Sequence, residues 1–150
     1  VTPDQLALLE DTIDALATRG DEITTCFYDR LFARLPEVRA LFPDDLTDQR
    51  EKFFSTLTEI ARSLRHLERV TEPAHELGAR HRTYGVVSGH YPVVGEVLVG
   101  ALGEVLGEWF TDAHREAWTK GYDLVAELMQ QGGRPTPERP RLGDRRRPPG

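Results

Sequence analysis

Apolar residues along this chain recur at spacings of three and four, and strict alternation is nowhere sustained, so helices are predicted from end to end and strands are not. A first helix is expected to open at Thr2, with Pro3 at its first position and Gln5 three residues after the cap. Leu6, Leu9, Ile13 and Leu16 form its apolar stripe, and Gly20 is expected to stop it. A second runs from Asp21 towards Leu35 with Ile23, Phe27 and Leu31 on one face, Tyr28 and Phe32 beside them, and Pro36 after its end. A short helical turn through Val38 and Leu41 leads into the loop Phe42-Pro43-Asp44-Asp45. Thr47 or Asp48 is placed to cap a helix that points Phe53, Phe54, Leu57, Ile60 and Leu64 inward. Another helix is expected from about Thr71 to His81 with Pro73 in its first turn, followed by a break over Gly85 to Gly89. A long apolar helix should span about His90 to Leu106 and close at Gly107, before a last one that Thr111 caps and that carries Trp118, Tyr122, Val125 and Met129. About seven helices with short connectors and no internal repeat make an all-α domain around one core.

Composition narrows the class without changing that picture. The 150 residues are 39% hydrophobic and 29% charged, as in a soluble globular domain, and long enough to bury a sizeable core. No stretch reaches the roughly 20 apolar residues of a membrane span, and the first ten residues lack a signal-peptide pattern, so a cytoplasmic protein is expected. Cys26 is the single cysteine, which excludes an intrachain disulfide and a cysteine-based zinc cage. The net charge of −6 is unevenly spread. From Arg134 onward six arginines face only Glu138 and Asp144, which leaves residues 1–133 at −10. An acidic body repels nucleic acid, so no nucleic-acid partner is expected. Residues 132–150, rich in Pro, Gly and Arg, are expected to be a disordered basic tail beside a domain over 1–131.

Most candidate chemistry is missing. The chain has no glycine-rich phosphate loop, no nucleophile elbow and no His-Glu-x-x-His helix, which removes kinase and common hydrolase readings. Of five histidines, His66, His75 and His114 stand among charged residues on expected outer faces, and His90 begins a helix where a polar cap belongs. His81 differs, because it follows Leu77 by four residues and so takes the inner side of its helix. Tyr28 precedes Phe32 by four on a helix whose apolar face must be buried, and a buried phenol needs a partner. Gln49 precedes Phe53 by four, so the two can point into one space. Each has a plain structural reading: a satisfied core histidine, a tyrosine bonded to backbone, a glutamine at a helix end. Their convergence in one helical core raises a binding site as the alternative.

The segments Phe27-Tyr28-Asp29-Arg30-Leu31-Phe32, Pro36-Glu37-Val38-Arg39-Ala40-Leu41-Phe42, Asp48-Gln49-Arg50, Gly78-Ala79-Arg80-His81-Arg82-Thr83-Tyr84-Gly85-Val86, His90-Tyr91-Pro92-Val93-Val94-Gly95 and Ala117-Trp118-Thr119-Lys120-Gly121-Tyr122 run in order along the body. In these the chain resembles a globin, in particular the bacterial single-domain haemoglobins of the Vitreoscilla and Hell's Gate type and the globin domain of flavohaemoglobins. The resemblance implies a three-over-three globin fold and a haem b held by His81 as proximal metal ligand. It implies Phe42 on the porphyrin face, Tyr28, Gln49 and Phe53 on the distal side, and Tyr91 and Val94 on the proximal side. Arg80 is a candidate partner for a haem propionate. A neutral imidazole suits iron and leaves a sixth position for O₂, NO or CO, and a phenol or amide donor favours O₂ over the less polar CO.

One position departs from the resemblance. Flavohaemoglobins polarise the proximal histidine with a tyrosine and a glutamate from the last helix. Tyr91 matches the tyrosine, whereas Gly133 stands at the glutamate position, which weakens the expected electron push to a bound ligand. Two functions therefore stay open: a binding protein for oxygen storage, delivery or NO protection, and an NO dioxygenase in which Tyr28 and Gln49 serve catalysis. A gas sensor cut from a longer protein is a third. Since 150 residues do not hold a reductase beside a globin, redox turnover is expected to draw electrons from a separate flavin reductase. A homodimer stays open as well.

Overall fold

The structure, a computed structural model, describes residues 1–133. Six α-helices follow one another: α1 (Pro3–Leu16), α2 (Gly20–Arg34), α3 (Thr47–Ser63), α4 (Leu67–Thr83), α5 (His90–Leu106) and α6 (Asp112–Gly133). Short 3₁₀ helices at Pro36–Leu41 and Gly107–Trp109 complete the order, and no strand occurs among the described residues. Of the tail expected over residues 132–150, residues 132–133 belong instead to α6, and the remainder lies outside the described residues. Among the described residues no helix is long and apolar enough to cross a membrane.

Local chemistry explains most boundaries. Gln5 N donates to Thr2 Oγ1 at 3.1 Å and Thr2 N donates to Gln5 Oε1 at 2.9 Å, the reciprocal cap expected from the sequence. Gly20 was expected to stop α1, yet α1 ends at Leu16 and Gly20 opens α2, where the Arg19 guanidinium forks onto the Glu22 carboxylate. At α3 neither Thr47 nor Asp48 is the cap; the carboxylate of Asp45 accepts from both the backbone N and Oγ1 of Thr47. Helix α4 starts four residues before the expected Thr71, which moves Pro73 into its second turn. Burial of Val70 and Ala74 against the core offsets the hydrogen bond that Pro73 cannot donate.

His114, expected on an outer face, is only 8% exposed. It stands three residues after Thr111 and takes the place a glutamate holds in a capping box. Its Nδ1 accepts from Thr111 N at 3.1 Å, while Thr111 Oγ1 accepts from His114 N at 3.4 Å. Trp109 and Phe110 pack against the ring, with centroids 4.5 and 5.6 Å away.

The core is sealed by α1, α2 and α5. Leu9, Ile13, Leu16, Ile23, Ala101 and Leu102 are at most 1% exposed. Helices α4 and α6 cross with their backbones in contact: a Cβ at Gly78 would stand 1.8 Å from the Met129 carbonyl oxygen, so only glycine fits there. Helix α3 behaves differently. It turns Phe53, Phe54, Leu57 and Ile60 towards the core, but of its residues only Ala61 is fully buried. The half-buried Phe42, Leu46, Leu77, Tyr91 and Val94 share this state and form an incompletely covered apolar lining packed against the core.

Candidate functional site

On the α2–α3 side of that lining, Tyr28 is 4% exposed and ringed by aromatic groups. Phe27, Phe42 and Phe53 meet it edge-on at centroid distances of 5.0, 5.6 and 5.7 Å, and Phe32 lies at 5.8 Å. Phe53 in turn stacks on Phe27 at 4.3 Å. The sequence pattern thus gathers Tyr28, Phe42, Gln49 and Phe53 as expected, from two helices and the segment between them. Gln49 Nε2 donates to Tyr28 Oη at 3.2 Å. The phenol therefore acts as acceptor, and its own hydrogen goes to no acceptor among the described residues. Burial pushes the Tyr28 phenol above its ordinary pKa, against smaller opposite effects of Gln49 and Arg50, so it stays protonated and able to donate.

On the α4–α5 side, His81 is half-buried near the end of α4. Its Nδ1–H donates to the Leu77 carbonyl oxygen at 2.8 Å, one turn back along the same helix. That bond fixes the tautomer and leaves the Nε2 lone pair without a partner among the described residues. Burial lowers the imidazole pKa and nearby Arg80 adds to the effect, while the bond to Leu77 opposes both; the outcome is a neutral ring. Tyr91 and Val94 are half-buried a helical turn apart on α5. Tyr91 is held from behind, since Tyr122 Oη on α6 donates to its carbonyl oxygen at 2.7 Å. Burial raises both phenols, Tyr122 the more strongly. No hydrogen bond joins the Tyr91 hydroxyl to His81 among the described residues, and Arg80 is exposed.

Two contributors escaped the sequence reading. Tyr122 was expected only as an apolar face, and its reach to Tyr91 depends on Gly95, whose Cβ would lie 2.7 Å from the tyrosine ring. Arg39 stands in the Pro36–Phe42 segment without a role assigned to it, yet it binds the loop after Phe42. A groove of about 590 Å³ lies elsewhere, between α2 and α5; Asp21, Glu22, Asp29 and Glu104 line it, and it has no part in this arrangement.

The described residues thus hold a neutral imidazole with one free nitrogen on one side and a buried Tyr28–Gln49 donor pair on the other, with partly covered apolar residues beside them. A protein-family model described as Globin matches residues 25–129, more than half of the chain. The chain belongs to the globin family. Tyr28, Phe42, Gln49, Phe53, His81, Tyr91 and Val94 all fall inside the matched span.

Among curated relatives of this globin, a flavohemoprotein of Bacillus subtilis is 31% identical over 129 residues, covering 83% of this chain and 32% of that protein. The chain thus spans about a third of the length of the curated relatives it matches. An engineered carbene transferase, described as a candidate nitric oxide dioxygenase from Rhodothermus marinus, superposes with a TM-score of 0.79 at 30% identity and covers 89% and 93% of the two chains. A flavohemoglobin from Malassezia yamatoensis with bound FAD and heme shares the fold at a TM-score of 0.74 and 22% identity, over 89% of this globin and 36% of that protein. The globin fold expected from the sequence is therefore the fold observed.

Proposed function

We propose that this globin binds haem through His81 Nε2 and uses the site above it to bind O₂, and also NO and CO. The observation that carries the reading is the hydrogen bond from His81 Nδ1–H to the Leu77 carbonyl, which leaves the other ring nitrogen neutral, oriented and free. The donor set fits the group: a histidine nitrogen for iron and a half-open lining of Phe42, Phe53, Leu77 and Val94 for the porphyrin. Haem, when bound, supplies the iron at which a diatomic gas binds. The haem is b-type in this reading, because Cys26 is the single cysteine and no Cys-x-x-Cys-His motif is present for covalent attachment. Phe42 would lie against the porphyrin, Tyr91 and Val94 on the proximal side, and the exposed Arg80 is placed to pair with a propionate.

Tyr28 holds a proton at Oη that can be donated to a polar diatomic ligand, and Gln49 steadies the phenol by donating to the same oxygen. The pair excludes water together with Phe42 and Phe53, and so favours O₂, which draws on a donor, over CO, which does so less. Purified protein titrated with hemin is expected to give a Soret band that shifts on reduction and again under CO. His81→Ala is expected to lose haem while keeping its helical circular dichroism. Undiminished haem retention in that variant would overturn the assignment of His81.

The likeness to the Rhodothermus marinus protein favours one further reading, NO dioxygenation, for which a flavin reductase would supply the electrons. Against a strong electron push stands the partner of His81, a neutral backbone carbonyl rather than a carboxylate. Catalytic NO consumption by the haem-loaded protein with a supplied flavin reductase and NADH would establish the enzyme; stoichiometric loss alone would leave a binding protein.

A further inference from the structure

The segment that carries Phe42 to the start of α3 has almost no backbone hydrogen bonds of its own. Phe42 N donates to Arg39 O at 3.2 Å, but the carbonyl oxygens of Phe42, Pro43 and Asp44 accept from no backbone N–H among the described residues. One side chain serves all three. Arg39 Nη1 donates to Phe42 O at 3.3 Å and Pro43 O at 3.0 Å, and Nη2 donates to Asp44 O at 3.1 Å. The same guanidinium lies 5.1 Å from the centre of the Phe32 ring, which meets Phe42 at 5.6 Å and Tyr28 at 5.8 Å. Among the described residues Arg39 forms no ion pair, so its charge is spent on carbonyl dipoles and an aromatic face.

We propose that Arg39 is the positioning residue of the distal site: it clasps residues 42–44, and thereby sets where Phe42 and Gln49 stand relative to Tyr28. The inference rests on the reading of Tyr28 as the ligand's hydrogen-bond donor. The physical reason is the fork. A planar guanidinium presents several N–H groups in fixed directions and can span carbonyls of successive residues, whereas a lysine ammonium on a single flexible stem cannot reproduce that spread. Gln49 lies in the first turn of the helix that this segment leads into, so slack in residues 42–44 reaches the Gln49–Tyr28 contact directly. Among the described residues Arg39 hydrogen-bonds to neither Tyr28 nor Gln49, which makes it a residue that acts through others.

The test uses haem-loaded parent, Arg39→Gln and Arg39→Lys proteins, with O₂ and CO dissociation rates measured on each. Amide hydrogen exchange over residues 42–50 is read by mass spectrometry on the same samples. Both variants are expected to retain haem and helical content, to exchange faster across 42–50, and to release O₂ about tenfold faster, the size of one lost hydrogen bond. CO release is expected to change little, and Arg39→Lys should fail to rescue. A general loosening of the pocket would speed both gases and haem loss together, which would overturn the proposal. So would parent-like O₂ release with unchanged exchange, or full rescue by lysine. Failure of the parent protein to bind haem or gas would instead refute the function proposed above, and the exchange comparison would still report whether Arg39 clasps the segment.

Discussion

Gln49 gives an amide hydrogen to the Tyr28 hydroxyl across 3.2 Å, and in doing so leaves the phenolic hydrogen uncommitted inside a pocket of aromatic rings. A phenol that both accepts from a fixed amide and keeps its own proton is oriented to donate. In the proposed function this separates the two residues by role: Tyr28 would donate to the ligand, and Gln49 would orient the donor.

Tyr28→Phe is accordingly expected to speed O₂ dissociation by about tenfold, corresponding to roughly 1.4 kcal/mol for one lost hydrogen bond, while CO dissociation moves less. Gln49→Leu should raise the O₂ rate by a smaller factor, since the phenol remains. Stopped-flow O₂ release compares the two directly. An effect of Gln49→Leu larger than that of Tyr28→Phe would reverse the assignment.

The haem-free protein should lose stability in acid through His81. Burial holds the imidazole pKa in the folded chain below its ordinary value of 6.5, which the unfolded chain recovers. Between the two values the unfolded state binds more protons, so the contribution of His81 is complete above 6.5 and is lost as pH falls through the folded value. Urea midpoints measured from pH 7.5 down to 5 should fall more steeply for the parent than for His81→Gln. Parallel curves would show that His81 does not carry the dependence.

Gly78→Ala is expected to cost about 3 kcal/mol or to prevent folding, because the added methyl group meets the Met129 carbonyl at 1.8 Å and backbone cannot rotate away. Alanine is the better helix former, so propensity alone predicts the opposite sign. Chemical denaturation of the apo-protein decides between them.

Thr111→Ala and His114→Ala each remove one half of the reciprocal cap on α6. Each should destabilise by about 1 kcal/mol, with an added packing loss for His114, whose ring Trp109 and Phe110 cover. Because the halves depend on each other, the double variant should cost less than the sum of the two. Additive losses would mean that the two residues act independently.

The helices were legible in the sequence because each carries a periodic apolar face, and α5 spans His90–Leu106 as that pattern predicts. Boundaries failed where tertiary contact overrode local signals. Gly20 opens α2 instead of closing α1, with the Phe54 ring of α3 in ordinary contact distance of it, and a stop signal carries no information about such a neighbour. His114 looked superficial among charged neighbours, and its burial depends on the rings of Trp109 and Phe110 folding back over it. Within the candidate site, Tyr28, Phe42, Gln49 and Phe53 could be found from spacing and resemblance, and the structure brings them together. The contacts of Arg39 and Tyr122 could not, because their partners are backbone carbonyls, and any residue type has one of those.

The bare crossing of α4 over α6 also governs the imidazole that follows it by three residues. Where one helix backbone lies directly against another, the close packing leaves little room for adjustment at that point. The same close approach fixes the stretch of α4 that precedes His81 against α6. Moving that imidazole relative to α6 would therefore require re-cutting the seam at Gly78 and Met129.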